Sequence, residues 1–147
     1  MGSLTLQTAG VVALDTQILI YAVETQATYS PLLRPLWQSA ADGRVQLVAS
    51  ELVRLEVMVR PLRDGRVELQ NQYRQLLDGT RLTLRAITPA VLVEAARLRA
   101  VCHSLRTPDA IHAASALLAG ADVFLSNDQG FRQVADLPLA LLSELAA

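Results

Sequence analysis

Residues Val11–Ala22 read VVALDTQILIYA, an almost unbroken apolar run with one carboxylate, Asp15, in its middle. The first four positions suit a β-strand, being short, apolar and rich in β-branched residues. A carboxylate removed from water is costly unless its charge is compensated. Asp15 therefore either caps the backbone at the start of a helix or faces a cation shared with acids distant in sequence. Both readings give the same local order of strand, acid and helix, so the chain opens as the first half of a βαβ unit.

The rest of the sequence extends that pattern. Strands are expected at Val11–Leu14, Val45–Ala49, Leu82–Ile87, Val123–Leu125 and Leu139–Leu142, with longer amphipathic stretches between them. Ser30-Pro31 reads as an N-cap followed by proline in the first turn, and Gly43 closes that helix. Ser50 opens the next, which Pro61 is expected to end. Asp64 begins a polar helix running to about Asp78, and Thr88-Pro89 and Thr107-Pro108 repeat the cap-plus-proline device. Strands alternating with helices imply a mainly parallel central sheet of about five strands sandwiched between helices. We find no repeat, linker or low-complexity tract, so residues 1–147 are expected to form a single α/β domain.

Composition narrows the function. The chain is 52% hydrophobic and 18% charged, enough apolar surface to exclude disorder. Its net charge of −1 excludes a general polyanion binder, so any nucleic acid must be met by a local patch. All 13 basic residues are arginine. The absence of lysine removes Schiff-base chemistry and the P-loop lysine. The single cysteine, Cys102, lies in an apolar helical stretch and is expected to be a small buried hydrophobe, which suits a reducing compartment. No basic region precedes an apolar run at the N-terminus, and no apolar stretch reaches the length of a membrane span. The expectation is a cytoplasmic protein without a membrane partner.

Ligands of an open parallel sheet sit beyond the carboxyl ends of its strands. Asp15 directly follows the first strand, Asp128 in FLSNDQGF follows another, and Asp109 in RTPDAIHAASAL occupies the first turn of a helix. Capping explains Asp15 and Asp128 singly, and a favourable charge near a helix N-terminus explains Asp109. Glu56 is mid-helix and caps nothing; it falls on the stripe Leu52, Leu55, Val59, taken here as the inward face. Its alternative is an i,i+4 pair with Arg60, worth about 0.3 kcal/mol. If the four acids converge, like charges raise one another's pKa. A divalent cation relieves this, and oxygen-only ligands favour Mg²⁺ or Mn²⁺ over zinc. His112, one turn from Asp109, is expected to be packed or hydrogen-bonded, with a base or metal ligand as the alternative, and His103 to be a favourable charge near a helix C-terminus or a surface residue.

In this order and spacing, four segments together resemble the PIN-domain family, especially the VapC-type ribonuclease toxins: LDTQILIYAVE with Asp15, SELVRLEVMVRPLR with Glu56, TPDAIHAASAL with Asp109 and FLSNDQGF with Asp128. The resemblance spans nearly the whole chain. It implies a Rossmann-like α/β/α sandwich, metal-dependent hydrolysis of RNA phosphodiesters, a homodimer and a small antitoxin partner. Asp15 and Asp109 become the principal ligands of Mg²⁺ or Mn²⁺, with Glu56 and Asp128 completing the catalytic set. Thr16, Ser126 and Asn127 are candidates for supporting the ligands or positioning phosphate, with backbone capping the alternative for Thr16 and Asn127. Gln17 departs from the smaller polar residue usual in the family.

Arg97, Arg99 and Arg106 form a segment without intervening acids and are candidate contacts for the substrate backbone; a solvated face is the alternative. Tyr21, Tyr29 and Trp37 are expected to pack in the core, with base stacking as the alternative. Two rival functions stand beside the toxin: a PIN-like binding module that has lost catalysis, and a housekeeping RNA-processing nuclease without an antitoxin. A haloacid-dehalogenase-type phosphatase would need an acid at Gln17, and a response-regulator receiver a lysine, so both are set aside. The region Ser50–Asp78, where apolar residues and arginines alternate, is a candidate surface for an antitoxin peptide, a dimer face or ordinary helix packing.

Overall fold

In the computed structural model, which describes residues 10–145, all five expected strands form. They are β1 (Gly10–Leu14), β2 (Val45–Ser50), β3 (Leu82–Arg85), β4 (Val123–Ser126) and β5 (Leu139–Leu141). They make one sheet in the order β3-β2-β1-β4-β5, every neighbouring pair parallel. The helices are α1 (Thr16–Val23), α2 (Ser30–Ala41), α3 (Leu52–Arg63), α4 (Val67–Leu77), α5 (Pro89–Val101), α6 (Thr107–Leu118) and the short α7 (Leu142–Leu145), with a 3-10 helix at Gln129–Gln133. Among the described residues, no helix is long and apolar enough to cross a membrane.

The period-two alternation of a strand divides the core in two. Val12, Leu14, Leu47, Ala49 and Leu125 point to one face, where they meet Ile18 and Leu19 of α1, Leu33 and Leu36 of α2, Val53 and Val57 of α3 and Leu69, Tyr73 and Leu77 of α4. Ala13, Val48 and Phe124 point to the other, against Val91, Ala95 and Leu98 of α5 and Ala110, Ala113, Ala114 and Ala116 of α6. The alanines give α6 a thin face that settles close to the sheet. Phe124 and Phe131 meet edge-on there, ring centroids 4.8 Å apart. Cys102 is buried, its Sγ 3.1 Å from the Gln133 carbonyl.

The order of strand addition reverses across the sheet between β1 and β4. From β1 the chain steps to β2 and β3 on one side; β4 and β5 fill the other. A crevice opens at such a switch point, beyond the strands' carboxyl ends. Leu14 ends β1 and Ser126 ends β4, so the residues that follow border it.

Several element boundaries differ from expectation. Thr88 is the N-cap of α5, its side chain accepting from Val91 N–H at 3.2 Å. The two similar Ser/Thr-Pro pairs behave otherwise: Tyr29 and Arg106 take the cap positions, and Ser30 and Thr107 are already helical. The first four helical N–H groups need no intrahelical acceptor, so proline is tolerated at either of the first two positions and does not fix the register. Pro61 does not end α3. It lies buried inside the last full turn, and the helix runs on to Arg63; its carbonyl accepts from Arg66 N–H at 2.9 Å and Gln70 Nε2 at 3.1 Å. Asp64 is therefore the C-cap of α3 rather than the start of α4, and Gly65 supplies the left-handed turn (φ +65°) between them.

The inward stripe of α3 also differs. Val53, Val57 and Pro61 are the buried set, whereas Leu55 and Val59 are 63% and 44% exposed. The helix is apolar on two sides, and only one of them faces the core.

Candidate functional site

The crevice is a cavity of about 440 Å³, and Asp15, Glu56, Asp109 and Asp128 all line it. Four segments separated by up to 113 positions in sequence thus contribute one carboxylate each.

Asp15 leaves β1 and caps α1. Its Oδ1 accepts from Thr16 N–H at 2.8 Å and its Oδ2 from the Ser126 hydroxyl at 2.7 Å. The capping reading is correct, and it does not exhaust the residue: Asp15 stays only 9% exposed on the cavity wall. Burial pushes its carboxyl above the usual range, against the opposing pull of His112 and of the Ser126 and Thr16 hydrogen bonds. Ser126 is itself fully buried and accepts from Asp128 N–H at 3.0 Å, so one hydroxyl ties the ends of β1 and β4 together.

Glu56 reaches the cavity from α3. Thr16 Oγ1 donates to its Oε1 at 2.7 Å, and His112 Nε2 approaches the same oxygen at 2.5 Å. A carboxylate only accepts, so Nε2 carries the proton in this pair. The pair with Arg60 does not form; Glu56 is held by His112 of α6 instead. Burial raises its pKa, but the hydrogen bonds from His112 and Thr16 outweigh it and leave the carboxyl below its usual value. His112 is buried, as expected of a hydrogen-bonded histidine, and its Nδ1 has no partner among the described residues.

Asp109 lies in the first turn of α6, its Oδ2 accepting from Arg106 Nε at 3.1 Å. Asp128 caps the 3-10 helix, its Oδ1 accepting from Gly130 N–H at 2.8 Å. A Cβ at position 130 would come 3.1 Å from that oxygen, so glycine there preserves the approach.

The supporting candidates divide. Thr16 and Ser126 each hold a cavity acid. Asn127 lines the cavity but acts as a strut, donating to the Tyr21 hydroxyl at 3.2 Å and accepting from Ser143 N–H at 2.9 Å. Of the three arginines only Arg106 borders the cavity. Arg97 forks onto Glu94 at 2.6 and 2.9 Å, and Arg99 braces the Leu105 carbonyl at 2.9 Å. Tyr21 lines the cavity with one face stacked on Tyr29, centroids 4.8 Å apart. Sequence reasoning did not single out Gln129, which joins Gln17 in the lining. Nor did it find the His112–Glu56 link; its one available signal was the i,i+3 spacing that puts His112 on the face of Asp109.

Among the described residues, no three His, Cys, Asp or Glu side chains stand together as a ready-made metal cage. Each acid instead has one or two oxygens occupied by the chain's own donors. The donor set is nonetheless a hard-oxygen one, and Mg²⁺ keeps several waters and needs only one or two carboxylates. The residues fit such an ion.

Comparison with known proteins bears on the fold that carries this cavity. The VapBC2 structure from Rickettsia felis, bound to a DNA fragment from its promoter, matches with a TM-score of 0.71 at 18% identity, over 89% of this chain and 98% of that one. A toxin–antitoxin complex from Klebsiella pneumoniae matches at 0.65 and 20%, over 89% and 97%. VapBC-1 from nontypeable Haemophilus influenzae matches at 0.63 and 17%, over 90% and 98%. At these identities the likeness is one of fold. No curated protein sequence matches the chain. The sequence pattern of the PIN domain matches residues 12–137, a span that holds all four cavity acids. The chain belongs to the PIN-domain family.

Proposed function

We propose that this protein is a divalent-metal-dependent endoribonuclease acting as the toxin of a toxin–antitoxin pair. The observation that carries the reading is the meeting of Asp15, Glu56, Asp109 and Asp128 in one cavity at the sheet's switch point. Four carboxylates lining one cavity invite a cation, and an oxygen-only donor set selects Mg²⁺ or Mn²⁺.

In this reading Asp15 and Asp109 hold the ion, directly or through water, and Glu56 and Asp128 complete the shell or orient the attacking water. A bound ion of this kind supplies polarisation of the phosphate oxygens and a lowered pKa for water. The chain's own work is positional. Ser126 and Thr16 fix Asp15; His112 and Thr16 engage Oε1 of Glu56 and leave Oε2 without a protein donor among the described residues. Outer contacts of this sort set the orientation of metal ligands. Arg106, beside the acids, is the candidate phosphate contact.

The partner reading rests on a second cavity, also about 440 Å³, lined by Leu55, Met58, Leu62 and Leu77 with Glu51, Arg54 and Arg74. The similar structures are of toxin–antitoxin complexes, and an apolar groove bordered by charge suits an amphipathic antitoxin segment. Homodimerisation belongs to the same proposal. Leu92, Val93 and Val101 of α5 remain exposed and are the face a second copy would cover, which light scattering tests. The compartment in this reading is the cytoplasm.

The test is cleavage of RNA by the purified chain. Activity should require Mg²⁺ or Mn²⁺ and stop with chelator. Expression should arrest growth, and co-expression of a small DNA-binding protein encoded beside it should restore growth. Cleavage that persists in chelator would remove the metal from the proposal; a chain that cleaves no RNA would favour the binding-module rival.

A further inference from the structure

Arg106 stands where a helix least favours it. It occupies the N-cap of α6, with extended backbone (φ −75°, ψ 156°) and no side-chain capping hydrogen bond. Aligned peptide dipoles place about half a positive charge at that end of a helix, so a guanidinium there is locally disfavoured. Asp, Asn, Ser or Thr is the ordinary occupant. The compensation comes from the cavity. Its Nε donates to Asp109 Oδ2 at 3.1 Å, and Asp128 and Glu56 add to the attraction. The side chain is otherwise 74% exposed, so packing does little to fix it. Among the described residues that line the cavity, it is the only permanent cation.

Resting on the nuclease reading above, we propose that Arg106 has two stations. In the ion-free site it occupies Asp109 in place of the divalent ion; with the ion bound, it turns to a non-bridging oxygen of the RNA phosphate. The guanidinium and the ion compete for the same carboxylate. Once the ion neutralises the acids, Arg106 is repelled by that ion and by the helix end together, and the nearest anion is the substrate backbone. A planar guanidinium presents paired donors that match phosphate geometry. Arg106 is then a substrate-binding residue whose removal has opposite effects on the two ligands: the ion binds better and RNA binds worse.

The experiment measures each ligand separately. Mn²⁺ affinity is read without RNA, from the electron paramagnetic resonance of free Mn²⁺, for the wild-type chain, Arg106→Gln and Arg106→Lys. RNA cleavage at saturating Mn²⁺ then separates KM from kcat. Arg106→Gln should bind Mn²⁺ about threefold more tightly, the modest effect expected of an exposed ion pair. Its KM should rise about tenfold for the loss of a charge-assisted phosphate contact. Arg106→Lys, which keeps the charge, should hold Mn²⁺ affinity at the wild-type level. Equal or weaker Mn²⁺ binding by Arg106→Gln, or an unchanged KM, overturns the proposal. Failure of the underlying reading looks different. Wild-type protein that binds no Mn²⁺, or binding indifferent to Asp109→Asn, removes the metal site and this inference with it. Asp109-dependent binding that Arg106→Gln leaves unaltered overturns the inference alone.

Discussion

Helix α3 borders two cavities of equal volume and opposite chemistry. One side contributes Glu56 to an acidic cavity of about 440 Å³; the other contributes Leu55, Met58 and Leu62 to an apolar one of about 440 Å³. Residues 55 and 56 are neighbours in sequence, about 100° apart around the helix. In the acidic cavity Asp15 and Glu56 are held by donors from other segments and Asp109 and Asp128 by donors from their own, so all four carboxylates are positioned by the chain itself. In the apolar groove Leu55 and Leu62 remain more than half exposed, an arrangement that water disfavours and a partner chain would relieve. On the proposed function, chemistry belongs to the acidic side and control to the apolar one.

Removal of a charge from the acidic side should give the largest effect. Asp15→Asn or Asp109→Asn is expected to reduce RNA cleavage by about a thousandfold, the scale seen when one group stabilising transition-state charge is lost. Partner binding measured by calorimetry should be unchanged. A variant that also loses its partner would join the two cavities into one surface and break the comparison. The converse change is Leu55→Glu with Leu62→Glu. It is expected to weaken antitoxin binding about a hundredfold, as for the loss of buried anchor residues, while cleavage by the free chain stays at the wild-type rate. Retained binding would move the partner off α3.

Which parts of this were readable beforehand follows from the range of each interaction. The strands were legible because a parallel strand buried on both faces leaves an apolar, β-branched run, as in Val45–Ser50 and Gly10–Leu14. Helix starts at Ser30 and Thr107 were misplaced by one residue because proline is acceptable at two adjacent positions. The inward face of α3 was taken as Leu52, Leu55 and Val59; Val53, Val57 and Pro61 are buried instead. Hydropathy alone cannot separate an apolar stripe that meets the core from one left for a partner. Glu56 was nonetheless identified because a mid-helix carboxylate among apolar residues has no capping role. Its contact with His112 spans 56 positions and depends on α3 and α6 meeting at the same sheet edge, which no local pattern encodes.

The two sides are joined through α4. Tyr73, wholly buried, donates its hydroxyl to Glu24 Oε2 at 2.5 Å, linking the helix that carries Leu77 of the groove to the end of α1, whose start is Asp15. Burial, reinforced by Glu24, keeps the phenol protonated and donating well above its usual range. Tyr73→Phe should destabilise the fold by about 1.5 kcal/mol for a hydrogen bond to a charged acceptor. The corresponding fall in melting temperature is about 4 °C. Cleavage at a temperature where the variant remains folded should be unaffected. A loss of activity without loss of stability would mean that the tie transmits geometry from groove to cavity.

The smallest expected effect lies within the acidic cavity, where two carboxylates shift in opposite directions. Burial raises the folded pKa of Asp15 above its ordinary value of 3.8, so between the two values the folded state binds more protons and stability falls as pH rises. At neutral pH, without divalent ions, the buried Asp15 charge is a net cost. Asp15→Asn should therefore raise stability by about 1 kcal/mol, a gain that disappears below the unfolded pKa. Glu56 behaves in the opposite sense. Burial opposes its ionisation, but the His112 and Thr16 hydrogen bonds bring its folded pKa below 4.5, so its stabilisation is present above that value and is lost as pH falls through the folded one. Glu56→Gln should lower the melting temperature at neutral pH, by less than Asp15→Asn raises it, because Glu56 is partly solvated. Thermal melts of both variants in chelator, at neutral pH and near pH 3, give the two signs directly. Equal signs would mean that the cavity acids titrate as one cluster; opposite signs would separate a carboxylate kept strained for a ligand from one already satisfied by the fold.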